Sequence, residues 1–198
     1  LSKRIGLITF VRNPELGKVK TRIAKTAGDE KALAIYKALL QHTRKVVTEV
    51  DCSRYLFYSQ AVKTDDEWAT TDFIKLVQSG GDLGHKMLSA FEHVLSECDK
   101  AIIIGSDCAS LSSDHLRQAI AALETHDVVI GPTYDGGYYL LGMNTLRPTL
   151  FQDMPWSTDV VFEKTISKLS VDGLAFQTLE MLSDIDHEAD WDKWGWEL

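Results

Sequence analysis

Short apolar runs alternate with stretches of helical period along the whole chain. The run Ile5–Val11 has the length of a β-strand and ends at Arg12. Asn13 to Arg22 then reads as a loop, punctuated by Pro14 and Gly17. Ala32, Tyr36, Leu39, Leu40, Thr43, Val47 and Val50 recur at helical spacing, with Asp29 placed to cap the helix they define. Tyr55–Tyr58 and Phe73–Val77 read as two further strands, and the glycine-rich segment Gln78–Gly84 as a loop. Met87, Leu88, Phe91, Val94 and Leu95 mark the helix behind it. Ala101–Ile104 is the most continuously apolar run, as expected of a central strand covered on both faces, and Gly105-Ser106-Asp107 ends it. Ser112 or Ser113 caps a helix carrying Leu116, Ile120 and Leu123, and Val128–Ile130 is a strand closed by Gly131-Pro132. Tyr138–Met143 follows the turn Asp135-Gly136-Gly137. Ser157 is placed to cap a helix through Val161, Thr165, Ile166 and Leu169, stopped by Gly173. Leu174–Leu179 is a late strand, and Trp191, Trp194 and Trp196 form a tail suited to packing or an oligomer contact. This alternation predicts a three-layer α/β/α architecture with a mostly parallel sheet, one domain over residues 1–198 without repeat or linker.

Charge sharpens one part of the pattern. The chain carries a net charge of −8, yet its first 25 residues hold seven Lys or Arg against one acid. Lys18, Lys20 and Arg22 put three cations at the end of the first strand. A local anion site follows more readily than a broad basic surface, and phosphate is the fitting anion, although such a cluster can also be simply solvated. The acidic balance argues against a nucleic-acid polymer or an anionic membrane surface as partner. No apolar run reaches the roughly 20 residues of a membrane span. The strand-length run near the start does not read as a signal peptide. Cys52, Cys98 and Cys108 are few, odd in number and far apart, which suggests neither a disulfide framework nor a zinc site and fits the cytoplasm.

In open α/β sheets ligands sit beyond the carboxyl ends of the strands. The loops at those ends are the basic loop, Gln78–Gly84, Gly105–Cys108, Gly131–Gly137 and Ser183–Asp186, the chemically richest in the chain. No G-x-G-x-x-G follows the first strand and the basic loop lacks P-loop spacing, so phosphates must be held in another way.

Pro14-Glu15-Leu16-Gly17-Lys18-Val19-Lys20-Thr21-Arg22 resembles the P-x-x-G-x-x-K-T-R-[LI] opening of a bacterial family of nucleotide-diphospho-sugar transferases of GT-A fold. Members of that family are often labelled glycosyltransferases, some in arsenosugar biosynthesis. The resemblance continues through Gln78, Gly81-Asp82-Leu83-Gly84, Met87, Gly105-Ser106-Asp107-Cys108 and Gly131-Pro132. It extends to Asp135-Gly136-Gly137-Tyr138-Tyr139-Leu140, Trp156-Ser157-Thr158 and Asp184-Ile185-Asp186. More distantly the chain is similar to molybdenum-cofactor and lactyl-phospholactate guanylyltransferases. Ala109 stands where a proline usually follows Cys108. Lys86 replaces the usual arginine before Met87, which removes a bidentate phosphate contact.

The resemblance implies roles for particular residues. Lys20 and Arg22, with Gly17 in the same loop, would hold a nucleotide's diphosphate, while Lys18 is assigned to solvent. Asp107, at the mouth of the most buried strand, would ligate Mg²⁺ or Mn²⁺, or else accept backbone N–H groups in a turn. Since Ser-Asp-Cys is not Asp-x-Asp, a second carboxylate is expected from Asp186, with Asp184 behind it, unless these cap the last helix. Gln78, Gly80, Gly81 and Asp82 would read the nucleobase, or form only a connector. Asp135, Gly136 and Gly137 would shape the sugar or acceptor pocket, with Asp135 as hydroxyl binder or general base, or form only a hairpin turn. Trp156 would stack on a sugar face or anchor the core. Cys108 reads as a small buried residue and not a nucleophile. The function expected is metal-dependent glycosyl transfer from a nucleotide-sugar to a small-molecule acceptor. The alternatives are nucleotidyl transfer from an NTP to a phosphorylated small molecule, and nucleotide binding without catalysis.

Overall fold

Alternate residues of the first strand face two different helical layers, and this division organises the molecule. In the computed structural model, which describes residues 4–198, β1 (Ile5–Val11) sends Leu7 and Val11 to one face and Ile8 to the other. Beside it, β4 (Lys100–Ile104) sends Ile102 and Ile104 to the first face and Ala101 and Ile103 to the second. All five β4 residues are buried. Burying each such aliphatic side chain is worth about 1.5–3 kcal/mol, so this run belongs at the sheet centre.

The remaining strands are β2 (Ser53–Tyr58), β3 (Ile74–Val77), β5 (Val128–Pro132), β6 (Tyr138–Met143) and β7 (Phe176–Thr178). They form one seven-stranded sheet in the order β3-β2-β1-β4-β6-β5-β7. Pairings are parallel except at β6, which runs antiparallel to both β4 and β5. The cause is local. The Asp135-Gly136-Gly137 turn joins β5 to β6 as a hairpin, too short for the crossover that a parallel neighbour requires.

Helices α2 (Asp29–Thr48) and α4 (Ser113–Ala122) cover the Leu7 face, and α3 (Leu83–Leu95) and α5 (Val161–Val171) cover the Ile8 face. Helices α1 (Thr21–Ala27) and α6 (Glu188–Trp194) pack against α2 in a smaller cluster holding Ile23, Leu39, Ala109, Ile185 and Trp191. Trp191 is therefore a core anchor, while Trp194 and Trp196 are partly exposed. None of the described helices is long and apolar enough to cross a membrane.

Four helix-start expectations are corrected. Gly28, not Asp29, occupies the N-cap of α2, and Asp29 lies in its first turn, where a carboxylate suits the helix dipole. Asp82 caps α3 by accepting the His85 N–H at 2.8 Å, so the loop after β3 ends earlier than its glycines suggested. Ser157 does not cap α5. It has a positive φ of 65°, and α5 starts at Val161 with Val160 at the cap. Neither Asp184 nor Asp186 caps α6; His187 does.

This topology brings the ends of β1 to β5 and the start of β6 to one edge of the sheet.

Candidate functional site

Three cavities adjoin along that edge. The largest, about 700 Å³, is bounded by Arg12, Gln78, Lys86, Ser106 and Tyr138 among others. A second of about 330 Å³ is lined by Arg12, Lys20, Arg22, Tyr36, Asp107 and Asp186. A third of about 220 Å³ is lined by Arg22, Tyr134, Asp135, Asp184, Asp186 and His187. Arg12, Tyr36 and Asp107 are common to the first and second, and Arg22 and Asp186 to the second and third. The middle compartment is therefore cation-rich, and the third is rich in carboxylates.

The middle compartment is built by the basic loop closing over the end of β4. Lys20 lies at the N-cap of α1 with φ 46° and ψ 44°, a left-handed conformation that costs a side-chain-bearing residue about 1–2 kcal/mol. Its ammonium bonds Asp107 Oδ1 at 2.7 Å and the Ile185 carbonyl oxygen at 2.7 Å, and lies 4.0 Å from Asp186 Oδ1. Only 6% of the Lys20 side chain is exposed. Arg22 reaches Asp186 Oδ2 at 2.6 Å from a side chain that is 61% exposed, so solvent weakens this pair. The Ile185 N–H donates to the Asp107 carbonyl at 2.8 Å, tying residues 184–186 to the β4 end.

Beneath the loop, the Tyr36 hydroxyl from α2 accepts the Arg12 N–H at 2.7 Å and donates to the Arg12 carbonyl at 3.1 Å. Burial, then the Asp107 carboxylate, pushes the Tyr36 phenol up, so it stays protonated in this role. Asn13 adds a brace by accepting the Gln60 N–H at 3.0 Å and donating to the Ala61 carbonyl at 2.8 Å. Arg12 is thus fixed at its backbone, while its guanidinium makes no hydrogen bond or ion pair among the described residues.

Asp184 is the most perturbed carboxyl. Burial, followed by the Asp107 and Asp135 carboxylates, pushes it up to about 7 in spite of the Lys20 ammonium. Asp135 accepts the Thr133 hydroxyl at 2.5 Å and the Gly137 N–H at 3.2 Å, so its carboxylate shapes the hairpin turn while facing the third cavity.

The predicted residues separate into two groups. Lys20, Arg22, Asp107, Asp135 and Asp186 line the second and third cavities, and Gln78 lines the first. The Gln78 amide nitrogen donates to the carbonyls of Val11 at 3.4 Å and Phe57 at 3.2 Å, which leaves its oxygen as the unused acceptor. Gly17, Gly80, Gly81, Asp82, Gly136, Gly137 and Trp156 line none of these cavities. Gly17 and Gly81 supply positive φ in turns, and Asp82 is committed to its cap. In place of the glycines, the first turn of α3 reaches the cavity through Leu83 and Lys86. The Trp156 indole packs on Gly84, where any Cβ would lie 2.4 Å from its Nε1, so it serves as an anchor for the start of α3. Lys18 is not merely solvated: it pairs with Glu15 at 2.6 Å on the rim of the first cavity. Arg12, Tyr36 and Tyr134 also line these cavities, although the sequence assigned them no place in the candidate site. Arg12 follows the last residue of β1, so the strand-end rule that selected the other loops also identifies it.

Asp107 and Asp186 face one ammonium and are hard oxygen donors. They suit a Mg²⁺ or Mn²⁺ ion held by two carboxylates and completed by substrate phosphates. Among the described residues no group of three or more His, Cys, Asp or Glu is arranged to hold a metal, so there is no all-protein cage.

Cys108, next to Asp107, is raised to about 12 by burial and then by the Asp184 carboxylate, and Cys52 to about 11 by burial. Thiolate is the reactive form, so native protein at pH 8 should react only slowly with Ellman's reagent. All three thiols should react after unfolding in urea. Rapid labelling of Cys108 in the folded protein would contradict its reading as an inert buried residue.

The family model described as "Uncharacterized protein conserved in bacteria (DUF2064)" matches residues 41–158. No curated protein matches the chain. A solved structure described as a "putative nucleotide-diphospho-sugar transferase" from Desulfovibrio desulfuricans G20 superposes with a TM-score of 0.86 at 27% identity, over 92% of this chain and 82% of that one. The inositol-1-phosphate CTP transferase from T. maritima gives 0.65 at 11% identity, over 96% and 92% of the two chains. The 4-diphosphocytidyl-2C-methyl-D-erythritol synthase from Anaerococcus prevotii DSM 20548 gives 0.62 at 12% identity, over 98% and 97%. The last two similarities establish the α/β fold alone.

Proposed function

The chain belongs to the bacterial family DUF2064, whose model spans more than half of it, and from that premise we propose that it is a transferase acting on a nucleotide-activated substrate. In this reading it passes a glycosyl group from a nucleotide-diphospho-sugar to a small-molecule acceptor with the help of Mg²⁺ or Mn²⁺. The observation that carries the reading is the order of the compartments. A large cavity bordered by Gln78 opens into a cation-rich one, which opens into a small carboxylate-lined one. A nucleoside, its diphosphate and an acceptor need that sequence of surroundings.

The free oxygen of Gln78 offers an acceptor to a base edge. Arg12, Lys20 and Arg22 surround the diphosphate and stabilise the negative charge that grows as the leaving group departs. Asp107 and Asp186 would hold the metal, which when bound adds further positive charge at those phosphates. Asp135, held by Thr133 and the Gly137 N–H, keeps lone pairs for an acceptor hydroxyl and is placed to take its proton. Tyr134, 69% exposed on the rim of the third cavity, offers a face for a sugar or another flat acceptor. The setting in this reading is the cytoplasm, where the three thiols stay reduced.

Nucleotidyl transfer from an NTP is the second reading. The single acid of Ser106-Asp107-Cys108, in place of Asp-x-Asp, and the three cations of the middle cavity favour it. Thermal-shift measurements with NDPs, NTPs and NDP-sugars test both readings. A ligand at 100 times its Kd adds about 2.7 kcal/mol, a rise of several degrees. If no nucleotide moves the melting temperature at millimolar concentration, both fail. Release of pyrophosphate from an NTP with a phosphorylated acceptor would select the second reading, and release of an NDP from an NDP-sugar the first.

A further inference from the structure

The Lys20 ammonium occupies a setting made of oxygens. Asp107 Oδ1 and the Ile185 carbonyl lie at 2.7 Å and Asp186 Oδ1 at 4.0 Å from its Nζ. Two carboxylate oxygens and a carbonyl are hard donors, the chemistry that a small divalent cation also selects. A metal held by Asp107 and Asp186 would therefore occupy the position that Lys20 already fills. An ammonium and a divalent ion at bonding distance from the same carboxylate oxygen repel each other, and the Lys20 side chain, 6% exposed, is held on the buried side of that oxygen.

Direct pairing leads to the same exclusion. Asp107 and Asp186 each have a cation against them, Lys20 and Arg22, without any metal. A divalent ion arriving alone would have to compete with both and displace a hydrogen-bonded ammonium whose side chain is only 6% exposed. A nucleoside diphosphate changes both terms. Its phosphates offer Lys20 a new anionic partner, and they complete the coordination of the ion.

We propose that Lys20 is the resident cation of the Asp107–Asp186 site in the free protein, and that a divalent metal enters only together with the donor's phosphates, which draw the ammonium off the carboxylates. This rests on the reading of the middle cavity as a diphosphate site. It assigns Lys20 two successive partners, first Asp107 and then phosphate, and makes the order of binding a property of one side chain. Metal without nucleotide finds the site closed.

The test is Mn²⁺ binding in the absence of nucleotide, read from the electron paramagnetic resonance signal of the free ion. Wild-type protein should bind Mn²⁺ no tighter than millimolar, and Lys20→Met should bind it at least about tenfold tighter. Arg12→Met removes the same charge from the same cleft without touching either carboxylate, and should change affinity less than about threefold. Adding Asp107→Asn to Lys20→Met should abolish the gain. Lys20→Gln, which keeps a donor for the Ile185 carbonyl, should reproduce the gain if the methionine variant folds poorly. Equal Mn²⁺ affinity in wild type and both Lys20 variants would overturn the proposal. So would an Arg12→Met gain as large as that of Lys20→Met, because long-range charge would then account for it. Nucleotide-dependent stabilisation of the wild type with Mg²⁺ present reports separately on the diphosphate site, so its failure would sink the functional reading and leave the Mn²⁺ comparison standing.

Discussion

Replacing Asp184 with asparagine is expected to stabilise the metal-free protein above pH 7 and to change little near pH 4. The Asp184 carboxyl rises from 3.8 to about 7 on folding, because burial and the neighbouring Asp107 and Asp135 carboxylates disfavour its charge. Between those two values the folded chain holds a proton that the unfolded chain has lost. The stability contributed by the neutral carboxyl is therefore fully present below pH 4. It falls as pH rises, and is gone once pH passes 7. At about 1.4 kcal/mol for each unit, the ionised group costs the native state on the order of 4 kcal/mol at pH 8. Asparagine keeps the shape and never ionises. Urea unfolding of both proteins in EDTA at pH 4, 6 and 8 should show a difference that grows with pH, while effects of the other carboxyls cancel. A variant that is less stable at pH 8, or a difference independent of pH, would contradict the environment assigned to Asp184.

That cost has a location. Asp107, Asp135, Asp184 and Asp186 converge where the second and third cavities meet, and Lys20 and Arg22 pair directly with Asp107 and Asp186 but not with the other two. A chain selected only for stability would not gather four carboxylates there. Stability lost at one place, with the sheet and both helical layers well packed elsewhere, is characteristic of a site kept for chemistry.

The sequence shows the scaffold and the site to different depths, for physical reasons. Ala101–Ile104 could only be a central strand, because no other position buries four consecutive apolar residues on both faces. The strand-end rule then leads directly to Asp107 and the basic loop. What one residue of a loop touches is harder to read, because it depends on turn geometry. Gly80, Gly81 and Asp82 resembled a base-reading loop, but Asp82 caps α3 and thereby directs Lys86 of the helix towards the cavity. Ser157 has the composition of a cap, yet its left-handed φ places it before the helix. Lys20 and Asp107 are far apart in the chain, and no periodicity reveals that they share a bond.

The second large effect is expected in the hairpin that closes the third cavity. Gly136→Ala should destabilise the fold by about 3 kcal/mol or more, which for a chain of this size lowers the melting temperature by roughly 10 °C. Gly136 has φ +87°, a region that costs an L-residue about 1–2 kcal/mol by itself. A Cβ there would also lie 1.9 Å from the Asp159 carbonyl oxygen, and a backbone atom cannot rotate aside as a side chain does. The same glycine accepts the Phe162 N–H at 2.8 Å, so moving it would also pull on the first turn of α5. Gly137→Ala is the control. Its Cβ would meet only the Thr133 hydroxyl at 3.1 Å and the Asp135 carboxylate at 3.4 Å, both side-chain atoms able to yield. It should cost less than about 1.5 kcal/mol, although it shifts the Asp135 carboxylate that faces the acceptor cavity. Thermal melts of the two variants separate the readings of this turn. A large loss at Gly136 with a small one at Gly137 means that close approach to Asp159 fixes the hairpin, whereas equal losses would mean that the turn tolerates no side chain at either position.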